Sequence, residues 1–288
     1  MRGLAVWMLV STILVSGCGD SSTESLGTYE PTLYVEGYLI AGNAIDSLFV
    51  GTTVPLFEAY SRELSAIVDA DVAVEVDGTI HLLMPLAGRP GQYHLPSLLI
   101  EAGKTYKLSV TVEGVTATAQ TTVPSPPIMQ AESDNLVLNE TPFTATWIGE
   151  TEVGYVTSRK TLNLAGSIPL ELQFGGGRGG FGGGGFGGGF GGGFAGADTA
   201  AFAARRDSLA QLDQWRFVRN QSTTLNWQQF THYGTYSFLV YSIDKNYGDF
   251  LVSNQQDPQI LDEPRFHIEG GIGIFASMAP DSVAFTIR

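Results

Sequence analysis

The sequence is poor in cysteine and in basic residues, and each shortage excludes a class of structure or function. Cysteine occurs once in 288 residues, at Cys18, so no disulfide can form within the chain. Lysine and arginine number 15 against 29 aspartates and glutamates, which gives a formal net charge of −14. Nucleic-acid binding starts from a basic footprint, and an acidic surface repels phosphate backbones. We therefore exclude nucleic acid as a partner.

The common motifs of catalysis and cofactor binding are also absent. H-E-x-x-H and G-x-S-x-G do not occur, and no two of the 4 histidines have the i, i+4 spacing of a helical zinc pair. Matches to G-x-G-x-x-G arise only in a tract where glycine is so dense that any spacing matches. We predict no catalytic residue, no metal site and no cofactor, and we expect that the protein is not an enzyme.

The first 17 residues have the pattern of an export signal. Arg2 supplies a positive charge, and the apolar run at 4–15 is shorter than the roughly 20 residues that a membrane-spanning helix needs. The motif L-V-S-G-C at 14–18 resembles the lipobox of bacterial lipoprotein precursors. This resemblance implies cleavage before Cys18 and attachment of acyl chains, such as palmitate, to its thiol. We interpret 1–17 as a lipoprotein signal peptide and 18–30, which is small, polar and acidic, as a flexible tether.

Residues 31–124 alternate apolar and polar side chains with a period of two, which is typical of half-buried strands. The dipeptides D-G at 77–78 and E-G at 113–114 are hairpin turns between such runs. An immunoglobulin-like β-sandwich requires about seven short strands separated by frequent turns. We predict that fold for 31–124, with strands over 33–40, 46–53, 71–76, 79–84, 105–112 and 115–122. The proline-rich stretch at 124–127 follows it as a stiff linker.

Residues 128–288 have mixed signals, which predict an α+β domain with an antiparallel sheet and one or two helices. Asp198 is the predicted N-cap of a helix over 199 to about 218, and Asp244 that of a short helix through Leu251. The predicted strands of this domain lie at 143–147, 153–156, 170–174, 234–243, 270–276 and 282–287. The fold class that we expect for the whole chain is therefore mainly β.

A tract at 175–196 interrupts this second region. It holds 16 of the 36 glycines of the chain, together with four phenylalanines. An ordered glycine loses more backbone entropy than any other residue, and the tract has few side chains to compensate for that loss. We predict a disordered Gly/Phe-rich insertion at 175–196.

Aromatic residues are dense in the second region, and two interpretations stay open. Exposed rings could stack a carbohydrate or peptide ligand, for which Trp215, Trp227 and Tyr233 are the candidates. The alternation of residues 235–243 instead favours packing of one set of aromatic rings in a core.

Three stretches together resemble one family. They are P-T-L-Y-V-E-G-Y-L-I-A-G at 31–42, Y-S-I-D-K-N-Y-G-D-F-L at 241–251 and I-E-G-G-I-G-I-F-A at 268–276. In order and spacing they are similar to the exported lipoproteins of the domain-of-unknown-function family numbered 4249. Members are typically found alongside TonB-dependent outer-membrane receptors, so the resemblance implies an outer-membrane location and such a receptor as partner. It implies no catalytic residues.

Three functional hypotheses follow. The first is an outer-membrane lipoprotein that is a non-enzymatic accessory or ligand-binding partner of a TonB-dependent receptor. The second is a surface hydrolase acting on glycan or peptide, which predicts a deep pocket with two facing carboxylates. The third is a structural envelope protein, which predicts no pocket.

Overall fold

The computed structural model describes residues 29–55, 57–130, 135–136, 142–151, 153–169, 214–254 and 266–288. Several predictions lie outside these residues: the signal peptide at 1–17, Cys18, most of the tether at 18–30, the strand at 170–174, the insertion at 175–196 and the start of the helix from 199. In the described part of the chain, no helix combines the length and the apolar character needed to cross a bilayer.

The described residues are mainly β, as the sequence predicts. The first strands are β1 (Leu33–Ile40), β2 (Ala44–Thr52), β3 (Asp71–Val76), β4 (Thr79–Leu82), β5 (Met84–Pro85), β6 (Gln92–Leu99), β7 (Thr105–Val112) and β8 (Val115–Thr122). They are followed by β9 (Ile128–Met129), β10 (Asn135–Leu136), β11 (Phe143–Ile148), β12 (Tyr155–Ser167), β13 (Gln214–Val218), β14 (Ser222–Leu225), β15 (His232–Ile243), β16 (Ile268–Glu269) and β17 (Ile272–Ile287). A 3₁₀ turn (Trp227–Gln229) and one α-helix, α1 (Lys245–Asn254), complete the described elements.

The N-terminal region packs two sheets face to face. One is the five-stranded sheet β16-β8-β7-β3-β4, and the other is the end of a larger sheet that contains β1, β2 and β6. Their inner faces share one hydrophobic core, in which Val35, Leu48, Val74, Leu108 and Val110 are buried. Alternate residues of each strand enter this core, because successive side chains point to opposite faces of a sheet. The immunoglobulin-like character of this sandwich stays a prediction.

The larger sheet runs through both regions of the chain. Its order is β13-β12-β15-β17-β1-β2-β6-β5, with β10 also paired to β17. Strand β17 is antiparallel to β15 and parallel to β1, in a register that places Val35 opposite Gly273. The predicted strands 270–276 and 282–287 are thus one strand, and the sheet continues across the boundary at 124–128.

The prediction of a helix over 199 to about 218 is wrong for its last residues. Residues Gln214–Val218 form β13, an antiparallel neighbour of β12 in which Trp215 lies opposite Ser158. Pairing with β12 satisfies the backbone of this segment and puts Trp215 and Phe217, two residues apart, on one face of the sheet. Trp215 and Phe217 therefore belong to a strand, whereas residues 199–213 of the predicted helix lie outside the described residues.

Candidate functional site

An open cleft with a volume of about 1570 Å³ lies over the outer face of the five-stranded sheet. The outward-facing side chains of β7 and β8 form its floor. Its walls come from three segments that are distant in sequence: residues 149–151 with Val153, the start of α1, and residues 266–269. The cleft is therefore assembled from both regions of the chain.

The floor is polar because β7 and β8 have polar residues at alternate positions. Lys107 lies opposite Gln120 and Ser109 opposite Thr118 in the antiparallel register. Thr105 and Thr122 form the next pair, with their hydroxyl oxygens 2.8 Å apart. Such cross-strand pairs stabilise a sheet, and here they also present hydroxyl, amide and ammonium groups to the cleft. The sequence carries this signal in T-x-K-x-S and T-x-Q-x-T, and our sequence reasoning missed it.

Buried polar contacts fix the wall at α1 to the floor. Asp244, just before α1, accepts a hydrogen bond from the Thr121 hydroxyl at 2.5 Å and one from the backbone N–H of Tyr247 at 3.0 Å. The second contact confirms Asp244 as the N-cap that the sequence predicts. The Thr121 hydroxyl also lies 2.6 Å from that of Ser277, so β8, β17 and α1 meet at one buried cluster. This cluster joins the sandwich to the C-terminal region.

Asn246 adds a second connection at the same place. Its side-chain amide donates to the backbone carbonyls of Gln120 at 2.7 Å and Phe275 at 2.9 Å. A typical hydrogen bond within a protein contributes about 1 kcal/mol to stability. The start of α1 is thus held in position beside the cleft.

An ionic cluster holds the third wall. The Asp249 carboxylate forms an ion pair with Lys245, and His267 Nε2 lies 2.8 Å from its Oδ2 atom. Burial raises the pKa of Asp249, but hydrogen bonds from Lys245 and His267 outweigh this effect and hold the pKa below its usual range. Asp249 is therefore a fixed anion that ties residue 267 to α1. On the floor, Lys107 is similarly paired with Glu75 at 3.2 Å.

Asp244→Asn is expected to change how stability depends on pH. Burial raises the pKa of Asp244 above its ordinary value of 3.8. For an acid whose pKa is raised by folding, the contribution to stability is full below the unfolded value and is lost as pH rises through the folded value. We therefore expect the wild type to lose stability relative to Asp244→Asn as the pH rises above about 4, the ordinary value of an unfolded aspartate. Urea unfolding at several pH values measures this difference.

Asp244→Ala is the control, because it removes the cap as well as the charge. It is expected to cost about 1–3 kcal/mol at every pH, through the lost N-cap and the unpaired Thr121 hydroxyl. The general pH dependence of this acidic protein is common to all three chains and cancels in the comparison. A stability difference between wild type and Asp244→Asn that stays constant with pH would contradict the raised pKa.

The three aromatic residues considered as a ligand-stacking set do not form one surface. Trp227 is buried, with 6% exposure, and Tyr233 packs against the same core, which lies between the large sheet and the three-stranded sheet β14-β11-β9. Trp215 is 49% exposed and stacks on Tyr241, with ring centroids 5.1 Å apart. It lies on the face of the large sheet away from Trp227. None of the three lines the cleft.

Metal-ligating side chains do not converge in the part of the chain that the structure describes. No group of three or more histidine, cysteine, aspartate or glutamate side chains there has the geometry to hold an ion. The histidines have separate surroundings: His232 is buried in the C-terminal core region, whereas His267 is at the cleft. The cleft itself is lined by hydroxyl, amide, charged and apolar groups.

Fold and cleft together define a mainly β protein with an open groove built from both regions of its chain. The family model described as "Domain of unknown function (DUF4249)" matches residues 21–283. The chain belongs to this family, which confirms the resemblance seen in three stretches of the sequence. No curated protein matches the chain.

Proposed function

We propose that this chain is an outer-membrane lipoprotein, anchored through Cys18, that serves as a non-enzymatic accessory of a TonB-dependent receptor and binds a segment of that receptor in the cleft. The cleft is the observation that carries the proposal. Its volume of about 1570 Å³ exceeds the roughly 300–1,000 Å³ of small-molecule pockets. It is open and is lined by both polar and apolar groups, which suits an extended occupant. A structural envelope protein would need no such groove.

The charged groups at the cleft differ in their roles. A glycoside hydrolase needs one carboxylic acid and one carboxylate that are free to act on the substrate. Glu150 and Glu269 line two different walls of the cleft, so the hydrolase alternative keeps a candidate pair of carboxylates. Asp244, which caps α1, and Glu75, which is paired with Lys107, instead have structural roles. These groups hold the walls and floor in place. Positioned hydrogen-bonding groups on a rigid floor are what recognition requires.

The receptor as partner is supported by location and family. Acylation of Cys18 would confine the protein to a bilayer surface, where it would meet membrane receptors at high local concentration. The resemblance to family 4249 supports the same neighbourhood. An acidic chain of net charge −14 is also suited to contact a basic segment of a partner.

Co-purification tests this proposal. The wild-type protein, extracted from native outer membranes in mild detergent, is expected to bring a TonB-dependent receptor with it, identified by mass spectrometry. Thr118→Arg places a long cation in the cleft floor at an exposed strand position, where its cost in stability is small, and is expected to abolish recovery of the receptor. The measurement is the receptor-to-lipoprotein ratio.

Thr144→Arg is the matched control, an exposed threonine of β11 that does not line the cleft. It is expected to retain the receptor. A clean wild-type preparation without receptor would contradict the accessory role. Equal receptor recovery with Thr118→Arg and Thr144→Arg would remove the cleft as the contact.

A further inference from the structure

The connection between β2 and β3 exposes large apolar side chains. Phe57 and Leu64 are each 85% exposed, and Tyr60 is 60% exposed. Monomeric soluble proteins rarely expose contiguous apolar patches, and those that exist commonly mark interaction sites. Single exposed leucines need no explanation, but three large exposed apolar residues within one loop do.

The loop is held in place by its base. The Thr52 N–H donates to the Ser65 carbonyl at 2.9 Å, and the Ile67 N–H donates to the Val50 carbonyl at 3.0 Å. Within the loop, the Arg62 guanidinium lies 4.1 Å from the centroid of the Phe49 ring and 3.0 Å from the Glu36 carboxylate. These contacts hold the described part of the loop in a conformation that leaves Phe57, Tyr60 and Leu64 in solvent.

Other exposed apolar residues lie at the same end of the sandwich. Thr52 pairs with Leu33, the first residue of β1. Gly271 lies beside both the Leu33 carbonyl and the Ala117 side chain. Because Ala117 is near the start of β8, β8 also begins at this end of the sandwich. Val115, at the tip of the β7–β8 hairpin, and Val68, just before β3, are exposed there. We call this set, Phe57, Tyr60, Leu64, Val68 and Val115, the apolar end.

The chain enters the described structure at the base of the same loop. The hydroxyl oxygens of Tyr29 and Thr53 are 2.5 Å apart, and the Thr53 N–H donates to the Thr32 carbonyl at 3.0 Å. Cys18 precedes Tyr29 by 29 − 18 = 11 residues. A polypeptide spans at most about 3.6 Å per residue, so Cys18 lies within roughly 40 Å of the loop whatever its conformation.

We propose that the apolar end docks on a lipid bilayer, with Phe57, Tyr60 and Leu64 inserted at the interface between headgroups and acyl chains. This inference rests on the proposed anchor at Cys18, because the anchor brings this end of the molecule to the membrane. The occupant is lipid. The same loop contains Glu58 and Glu63, and Arg62 is already paired with Glu36. Docking therefore favours zwitterionic over anionic lipids.

With the acyl anchor in place, a weak contact between the apolar end and the bilayer is sufficient for docking. Full burial of one phenylalanine or leucine side chain changes a partition coefficient by about 10- to 100-fold. The loop alone would bind membranes weakly, as partially inserted side chains do. Tethering by acyl chains makes insertion intramolecular, so that a modest partition coefficient gives high occupancy.

An environment-sensitive fluorophore tests the docking. In the acylated protein the thiol of Cys18 is consumed, so Leu64→Cys supplies one reactive thiol for a nitrobenzoxadiazole label. In phosphatidylcholine vesicles this label is expected to shift its emission to the blue and to be quenched by lipids spin-labelled in the acyl chain. Leu99→Cys is the control, because Leu99 is 60% exposed and pairs with Ala44 at the opposite end of the sandwich. Its label is expected to remain in water.

Equal emission and absent quenching at both positions would overturn the docking. If the label at 64 is shielded only when a receptor is added to the vesicles, the apolar end is a protein contact and the lipid proposal is also wrong.

A second pair of proteins separates the effect of the anchor from that of the docking. Cys18→Ser with Leu64→Cys has no acyl chains, and its label is expected to insert only at high lipid concentration. Adding Phe57→Ser is expected to lower that partition coefficient by about tenfold.

These outcomes are distinguishable from failure of the anchor. If the natural protein carries no acyl chain but the label at 64 still enters vesicles, the result supports membrane docking and contradicts the anchor at Cys18. If the protein is acylated and vesicle-bound but the label at 64 stays in water, the result contradicts membrane docking and supports the anchor at Cys18.

Discussion

Cys18→Ser is expected to move the protein from the outer-membrane fraction to the soluble fraction and to abolish its fatty-acid content. The lipobox at 14–18 makes Cys18 the predicted acylation site, and no other cysteine is present to replace it. Two or more acyl chains give stable anchoring, whereas one gives only an association constant of about 10⁴ M⁻¹. Cell fractionation with mass spectrometry of the N-terminal peptide provides the measurement.

Ser16→Ala is the control, because it keeps a small residue before the cysteine and is expected to leave both acylation and location unchanged. The fatty acid on the wild-type peptide is the decisive readout, since the apolar end could leave a fraction of the Cys18→Ser protein on membranes. A wild-type chain without fatty acid, together with a Cys18→Ser protein that still sediments with membranes, would sink the lipoprotein assignment.

Gly273→Val is expected to prevent stable folding, or to lower the free energy of unfolding by about 4 kcal/mol or more. Gly273 has a φ of +118°, which side-chain-bearing residues rarely adopt, and it pairs with Val35 where β17 runs parallel to β1. A Cβ atom there would lie closer than 3.0 Å to the Val35 carbonyl oxygen. Because backbone cannot move aside as a flexible side chain can, the pairing of β1 with β17 would break. Circular dichroism and thermal unfolding would measure the loss.

A comparison of Gly166→Ala with Gly273→Ala separates the steric clash from the backbone strain. Gly166→Ala introduces backbone strain alone, whereas Gly273→Ala introduces both. Gly166 has a similar φ of +140°, but a Cβ atom there would meet nothing within 4 Å. Backbone strain alone costs about 1–3 kcal/mol. Gly166→Ala is expected to stay within that range, whereas Gly273→Ala exceeds it. Equal melting temperatures for the two alanine variants would show that contact with Val35 is not limiting.

The hairpins could be predicted from sequence because their signals are local. Strands β1, β3, β7 and β8 have the predicted bounds, since period-2 alternation sets each strand and D-G or E-G sets two of the turns. Asp77 and Glu113 adopt positive φ in those turns. The N-cap at Asp244 is equally local. Strand β6 was missed because Pro96 lies inside it, and proline within a run argues against a strand.

The arrangement of distant segments could not be predicted. The parallel pairing of β1 with β17 joins the two ends of the described chain, and no turn or dipeptide marks such a partner. The cleft could not be predicted for the same reason. Its floor at Thr118 and Gln120 comes close to Asn246 and His267 only in the folded sheets. Strand β13 was mistaken for helix because its strand character depends on pairing with β12.

The position of β17 also determines when this protein can fold. Strand β1, near the start of the chain, has β17, near its end, as a neighbour in the central sheet. Contacts of such long sequence separation make folding slow, because the entropy of closing a very large loop is lost before the contacts form. A chain from which β17 has not yet left the ribosome leaves this sheet incomplete. The nascent protein would therefore complete its central sheet only after β17 has been synthesised.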